Sequence, residues 1–484
     1  MPDLLTAFGL IAVVLVVAAL TSGLVARAPV SSPMIFLALG FLLGERGLGV
    51  IHVEEHSAAL EAVAVLSLSF VLFLDAINLR FDEMGKDWMV PVLALGPGTI
   101  LTVVLIAGTA ALLLSLSPIQ ALLLGAILSS VDPVVLRDVL HDKRIPRSVR
   151  RALQTEAGTN DLVVLPIILV GAAVARGQVG GATDWAVLLG RLFLLGPLVG
   201  IAIGAAYVWL MRLARAHTTI TSEYRAIGGV GGLLAAYVAG EAAGSSGFLA
   251  VFAAGAAVVA LDYDVCDCFL DFGATMSELV MLLAFILFGA LLSTVIDTVP
   301  LLPALLFAVV VLVAARPVAI SLVLWRAPIS GRGRQFIGWF GPRGLSSLLF
   351  ALLLITNGVP GAEQLLGLAG IVVIVSVIAH GVSAAPLAER YARAVARATL
   401  AEEREATAAG LFHKASGEVP RITPEGLAAR LTSDDPPLVL DVRSRSSYDH
   451  DQARIPGSVR VPPDEVTEWA AGASRDRPVV TYCT

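Results

Sequence analysis

Four places in this 484-residue chain set side chains able to hold a proton or a cation inside otherwise apolar runs. The first reads Ser129-Ser130-Val131-Asp132-Pro133, a carboxylate directly before a proline. The second reads Glu156-Ala-Gly-Thr-Asn160-Asp161, whose spacing of four and five keeps Asn160 and Asp161 near one helical face with Glu156. Arg316-Pro317 is the third, and Gly341-Pro342-Arg343-Gly344-Leu345-Ser346-Ser347 is the fourth. A charge in the middle of a membrane span costs roughly 2.5 to 3.5 kcal/mol on insertion scales, so each of these is a functional candidate by default. Pro133 lacks an amide donor and clashes with the turn before it, which should leave carbonyls near Ser129 open to face an ion. Asp132, Glu156 and Asp161 outnumber Arg316 and Arg343 by one carboxylate, and an unpaired carboxylate in a low-dielectric site either holds a proton or binds a cation. Asp132 has a second reading, as a cap on the half-helix that follows it. Glu156 has one too, as the structural partner of an arginine.

The elements that carry these groups must be membrane spans. Hydrophobic residues make up 57% of the chain and charged ones 15%, against about 25% charged in soluble domains, which excludes a soluble enzyme. About thirteen apolar runs can be marked between Leu4 and Ala385, with twelve or fourteen left open because the runs Trp88–Leu116 and Val299–Trp325 are long enough to tilt or divide. Asp132 falls in the fifth run, Ile119–Leu140; Asp161 in the sixth, Ala152–Ala175; Arg316 in the eleventh; Arg343 in the twelfth, Phe336–Ile355. An interrupted span in each half of the chain points to the binding site of a transporter built from inverted repeats, and runs five and twelve are that pair. Lys and Arg concentrate on one side of a thirteen-span arrangement, at Arg27, Arg80, Lys86, Arg137, Lys143, Arg144, Arg147, Arg150 and Arg151 among others. That bias places the N-terminus outside and the connection between runs five and six, together with the tail, in the cytoplasm. The stretch Asp262–Glu278, acidic and without Lys or Arg, reads as a loop that dissents weakly. Asp75 reads as snorkelling to the interface, and His217 and His380 as polar residues at span boundaries. Cys266 and Cys268 form only a weak metal signal.

With these residues in hand, the chain resembles the NhaP-type sodium/proton antiporters of the monovalent cation:proton antiporter family. Ser130-Val131-Asp132-Pro133 is similar to that family's Thr-Asp-Pro signature, Asn160-Asp161 to its Asn-Asp signature, and Gly341-Pro342-Arg343-Gly344 to its Gly-x-Arg-Gly signature. Val131 departs from the pattern, so the threonine hydroxyl is missing. The resemblance covers roughly residues 1–390. It implies an all-α polytopic membrane protein of thirteen helices with inverted repeats, two crossed discontinuous helices and a homodimer. It also implies Asp161 as the ion and proton carrier, Asp132 polarising the site, Asn160 where electrogenic relatives hold a second aspartate, and Glu156 paired with Arg316. Ser130, Val131, Pro133, Gly341 and Arg343 would support the broken helices. The expected activity is exchange of Na⁺ for H⁺ across the cytoplasmic membrane, electroneutral, with K⁺ or Li⁺ as alternative cations and pH and sodium homeostasis as the purpose. No cofactor is expected, no metal beyond the transported Na⁺, and no nucleic-acid partner; without an ATP motif the driving force is an existing ion gradient.

Beyond residue 390 the composition changes: 26 of the last 94 residues are charged, against 46 of the first 390. Residues 391–417 read as a cytoplasmic helical linker and residues 418–484 as a small, partial α/β domain. Leu438-Val-Leu-Asp441-Val-Arg443, Ile455-Pro456-Gly457 and a strand ending at Cys483 resemble the first half of a rhodanese-like domain, whose cysteine opens an anion-cradling loop. A membrane-tethered sulfurtransferase or sensor is therefore the alternative from the enzyme class. The chain stops one residue after that cysteine, so binding is expected of the tail and turnover is not. An ion channel is the third class, disfavoured because broken helices in both halves suggest alternating access.

Overall fold

The computed structural model describes all residues except 1–8, 10–11, 14–15, 18, 21–31, 54–56, 79–88, 134–135, 137–138, 141, 143, 405–421, 434, 451–452, 474–476 and 483–484. Most of the run Leu4–Val25, with Arg27, Arg80, Lys86, Arg137, Lys143 and Cys483, thus lies outside the described residues. The rest of the membrane part is helical: α1 (Ser32–Leu43), α2 (Ala58–Asn78), α3 (Met89–Leu114), α4 (Pro118–Ile127), α5 (Arg147–Ala175), α6 (Ala182–His217) and α7 (Ser222–Ala242). There follow α8 (Gly247–Leu261), α9 (Tyr263–Val295), α10 (Leu301–Val323), α11 (Gly331–Trp339), α12 (Leu345–Thr356) and α13 (Ala362–Arg397). Among the described residues seven helices are long and apolar enough to cross a membrane, and α1, α4, α8 and α12 are shorter apolar helices.

Two expectations change. Asp262–Glu278 is not a loop: from Tyr263 it is helical and continuous with the span that ends at Val295. The last apolar run, expected to end by Ala385, belongs to a longer helix. It runs on to Arg397, because Ala388, Tyr391, Ala392 and Val395 continue an apolar stripe that packs on Phe336, whose ring stacks on Tyr391 at 4.6 Å.

The long runs do not divide; each absorbs its proline in one wide turn. α3 carries a π-helical turn at Ala94–Gly98, which contains Pro97. α6 carries one at Arg191–Leu195 ahead of Pro197, and α10 one at Val311–Ala315 ahead of Pro317. A proline has no amide to give the turn before it, and widening that turn re-registers the ladder without breaking the helix. In α10 the result is that Arg316 opens the next α-helical segment with its side chain buried.

Two helices do break. α4 starts cleanly, with Ser117 and Gln120 forming a reciprocal capping box ahead of Pro118, and it ends at Ile127, before Asp132-Pro133. α11 and α12 are separated by Phe340–Gly344. The two breaks lie against each other: the Asp132 amide donates to the Pro342 carbonyl at 2.8 Å, and Arg343 reaches the carbonyls of Ser129 and Ser130. A large apolar core surrounds them. A second cluster on the tail side holds Val131, Leu136, Ile145, Val149, Phe336 and Tyr391.

The tail is a three-stranded parallel sheet in the order β2-β1-β3, with β1 (Leu438–Asp441) pairing β2 (Val459–Arg460) and β3 (Val479–Tyr482). Helices α14 (Pro424–Leu431), α15 (Arg445–His450) and α16 (Val466–Gly472) join it. The Asp-Val-Arg motif is a clamp at the strand end. Asp441 accepts from Arg443 Nε at 2.9 Å and from Nη2 at 2.6 Å. Burial pushes the Asp441 carboxyl up, but the Arg443 hydrogen bonds outweigh it and hold it below its ordinary range.

Candidate functional site

The carboxylate of Asp161 sits on the inner face of α5, almost fully buried. It accepts a hydrogen bond from Ser130 Oγ at 2.6 Å and forms no ion pair among the described residues. Ser130 comes from the break after α4, so the hydroxyl missing at Val131 is supplied one residue earlier. The Val131 side chain is turned into the apolar tail-side cluster instead.

The open carbonyls expected near Ser129 are already occupied. Ser129 O accepts from Asn160 Nδ2 at 3.2 Å and from Arg343 Nη1 at 2.9 Å, and Ser130 O accepts from the same Nη1 at 3.0 Å. The physical reason is the buried guanidinium. It stands where a cation bound by unwound carbonyls would stand, and it satisfies dipoles that would otherwise be stranded. What remains for a cation are carboxylate and hydroxyl oxygens, with Asn160 Oδ1, a buried acceptor that has no hydrogen-bond partner among the described residues.

Asp132 caps the start of the other broken segment, while residues 134–135, where its expected role as a cap on its own half-helix would show, lie outside the described residues. Its Oδ2 accepts from the Leu345 amide, the first of α12, at 3.1 Å. The two glycines of the fourth motif follow from close approach. A methyl group on Gly344 would land on the Asp132 carboxylate, and one on Gly341 would land on the Arg316 guanidinium. Gly344→Ala is therefore expected to destabilise the protein by about 1 to 3 kcal/mol and to displace Asp132. Thermal unfolding in detergent measures it; an unchanged midpoint would mean that the two breaks are not held against each other.

Arg316 holds Glu156 through both guanidinium nitrogens, Nη1 to Oε1 and Nη2 to Oε2 at 2.9 Å, and its Nη2 also faces the Phe340 carbonyl at 3.2 Å. Both side chains are buried. This pair ties α5 to α10 and to the second break. His380 is not at a span boundary: it is buried on α13, with Nδ1 on the Ser376 carbonyl at 2.8 Å and Nε2 on the Trp339 carbonyl at 2.9 Å. Ser376 Oγ in turn accepts from the Arg343 amide at 2.7 Å, so the histidine braces the loop that carries Arg343.

A cavity of about 720 Å³ leads in from the side of the tail, with Asp132, Thr159 and Ser346 among the residues at its inner end. Asp161 does not line it; its hydrogen-bond partner Ser130 precedes, by two positions, the Asp132 that does. Asp75 does line it, which corrects the snorkelling assignment: on α2 it faces the cavity beside Gly158 of α5. Its position in the last turn of a span hid it, since a carboxylate there has an interface within reach. With Asp75 added, the four carboxylates Asp75, Asp132, Glu156 and Asp161 exceed the buried Arg316 and Arg343 by two.

The protein-family model described as sodium/hydrogen exchanger, transmembrane, matches residues 12–390, and a rhodanese-like domain model matches residues 423–484. The K(+)/H(+) antiporter NhaP of Alkalimonas amylolytica is 31% identical over 364 residues, covering 73% of this chain and 61% of that protein. The K(+)/H(+) antiporter NhaP2 of Shewanella oneidensis is 30% identical over 389 residues, covering 79% and 66%. The chain therefore spans less than two thirds of the length of these relatives. The structure of the sodium proton antiporter MjNhaP1 from Methanocaldococcus jannaschii at pH 8 has a TM-score of 0.64 at 20% identity, over 78% of this chain and 99% of that one. The electron-microscopy structure of MjNhaP1 gives 0.65 at 21% identity, over 80% and 98%. These establish the shared fold of the membrane part.

Proposed function

The chain belongs to the sodium/hydrogen exchanger transmembrane family, and from that premise we propose that it exchanges a monovalent cation for H⁺ as a secondary active antiporter. The observation that carries this reading is Asp161: a buried carboxylate with no ion-pair partner among the described residues, held by a serine hydroxyl where two broken helices meet. Cation and proton would occupy it in turn, with Asp132 and Ser130 as further oxygen ligands and Asn160 Oδ1 as the spare acceptor. The tail-side cavity would be the route from the cytoplasm, with the N-terminus outside and the protein in the cytoplasmic membrane, a reading that the Lys and Arg bias of the loops supports. One carboxylate shared by cation and proton, beside a neutral Asn160, would make the exchange electroneutral. The Glu156–Arg316 pair would be structural. The working unit would be a homodimer, and the rhodanese-like tail would bind and not catalyse sulfur transfer; thiocyanate release from thiosulfate and cyanide would overturn that last point.

Na⁺ is the cation expected from the resemblance. K⁺ is the second reading, favoured by the K(+)/H(+) names of the two relatives. Cation-dependent dequenching of a pH dye in proteoliposomes, with the membrane potential clamped and Na⁺, K⁺ and Li⁺ compared, tests both activity and selectivity. Competition for one carboxylate fixes the pH dependence. As pH falls the proton occupies the site, so the apparent KM for the cation should rise, approaching about tenfold per pH unit once the carboxyl is mostly protonated. A KM that does not change with pH would reject a shared site.

A further inference from the structure

The mouth of the cavity is made from two distant parts of the chain. α5, which carries Asp161, begins at Arg147 behind Pro146, a residue with no side-chain cap to offer. The tail supplies the missing group. Asp464 Oδ2 accepts from the Arg147 amide at 2.5 Å, a carboxylate at a helix N-terminus, where the aligned peptide dipoles favour negative charge. Beside it, Arg150 Nη2 donates to Glu465 Oε1 at 2.7 Å, and Arg147 Nη2 lies 3.6 Å from Glu468. Arg445 grips Asp464 from within the tail at 2.7 Å and pairs with Glu403 at 3.3 Å. The hydroxyls of Thr399 and Ser446 meet at 3.0 Å. Glu468 itself lines the cavity.

The electrostatic consequence is a matter of sign. Without the tail, the described residues of the rim would set Arg147 and Arg150 beside Arg151 and Glu278, a cationic collar above a floor that holds Asp75 and Asp132. Asp464, Glu465 and Glu468, with Arg445 held among them, offset that positive charge at the collar. The Arg150–Glu465 pair is mostly buried, with side chains 18% and 16% exposed, so salt screens it less than a surface pair. A narrow cleft concentrates whatever field its walls carry. We propose that the rhodanese-like tail is part of the cation path: its three carboxylates neutralise the arginine collar and admit cations to the cavity, while Asp464 fastens the start of the ion-carrying helix.

This rests on the antiport reading with the cavity as the entry route, so the test includes a readout that needs no transport. In the full chain, with Cys266, Cys268 and Cys483 changed to serine, Gln154→Cys places one thiol in the cavity wall. The rate of its modification by a trimethylammonium methanethiosulfonate, divided by that for a neutral methanethiosulfonate, measures the local potential. Glu465→Gln with Glu468→Gln should lower that ratio about three- to tenfold at low ionic strength, and adding Arg150→Gln should restore part of it. An unchanged ratio overturns the proposal. In proteoliposomes the same double variant should raise the apparent KM for the cation by a similar factor, with kcat within twofold, and N-methylglucamine chloride should shrink the difference. A fall in kcat with KM unchanged would show a merely structural tail and would also overturn it. A parent chain that fails to exchange ions would reject the antiport reading alone, since the reagent ratio still decides the role of the tail.

Discussion

Asp161→Asn will reduce cation-dependent proton movement in proteoliposomes at least about a hundredfold and leave the folded protein intact. The amide keeps the size of the side chain and still offers a carbonyl oxygen to the Ser130 hydroxyl, which now bonds Oδ1 at 2.6 Å. It carries no negative charge and takes up no proton near neutral pH, so neither partner of the exchange has a place to bind. Stability is expected to hold or rise, because burying a neutral amide costs less than burying a carboxylate that lacks an opposite charge. Dye dequenching and detergent melting of the same preparation separate the two effects. Retained exchange would move the carrier role to Asp132 or Asp75, both on the wall of the cavity. Asp75→Asn is the natural companion experiment.

The carboxylates and arginines were legible in the sequence because the membrane makes them conspicuous: a charge in an apolar run has no bland explanation at low cost. The runs themselves were legible for the same reason: Ala152–Ala175 lies within the helix Arg147–Ala175 and ends with it. What hydropathy could not show was direction. It placed Val131 and Ser130 side by side without saying which one turns inward, and it credited Ser129 with open carbonyls because nothing in a linear reading brings Arg343 from 214 residues away to fill them. Gly341 and Gly344 looked like helix-breaking residues, whereas their role is to make room for Arg316 and Asp132. Asp75 and Asp464 were missed because each is a surface-type acid by its local context. Only packing makes one a cavity wall and the other the cap of a helix in a different part of the chain.

Breaking the Glu156–Arg316 pair should damage folding more than any other single change at the site. Glu156→Ala leaves a guanidinium that is 3% exposed with the Phe340 carbonyl and a longer contact to Ile337, and no counter-charge. Removing one partner of a buried pair costs about 3 to 5 kcal/mol, because the survivor keeps its desolvation penalty and loses its compensation. For a chain of this size that corresponds to a fall of about 5 to 10 °C in the unfolding midpoint in detergent. Arg316→Ala should cost as much, by stranding Glu156. The double change Glu156→Gln with Arg316→Met should cost less than either, since it removes both charges while keeping most of the volume. If the single variants melt with the parent protein and lose only transport, the pair belongs to the ion path and not to the scaffold. The count of titrating carboxylates, and with it electroneutral exchange, would then have to be redrawn.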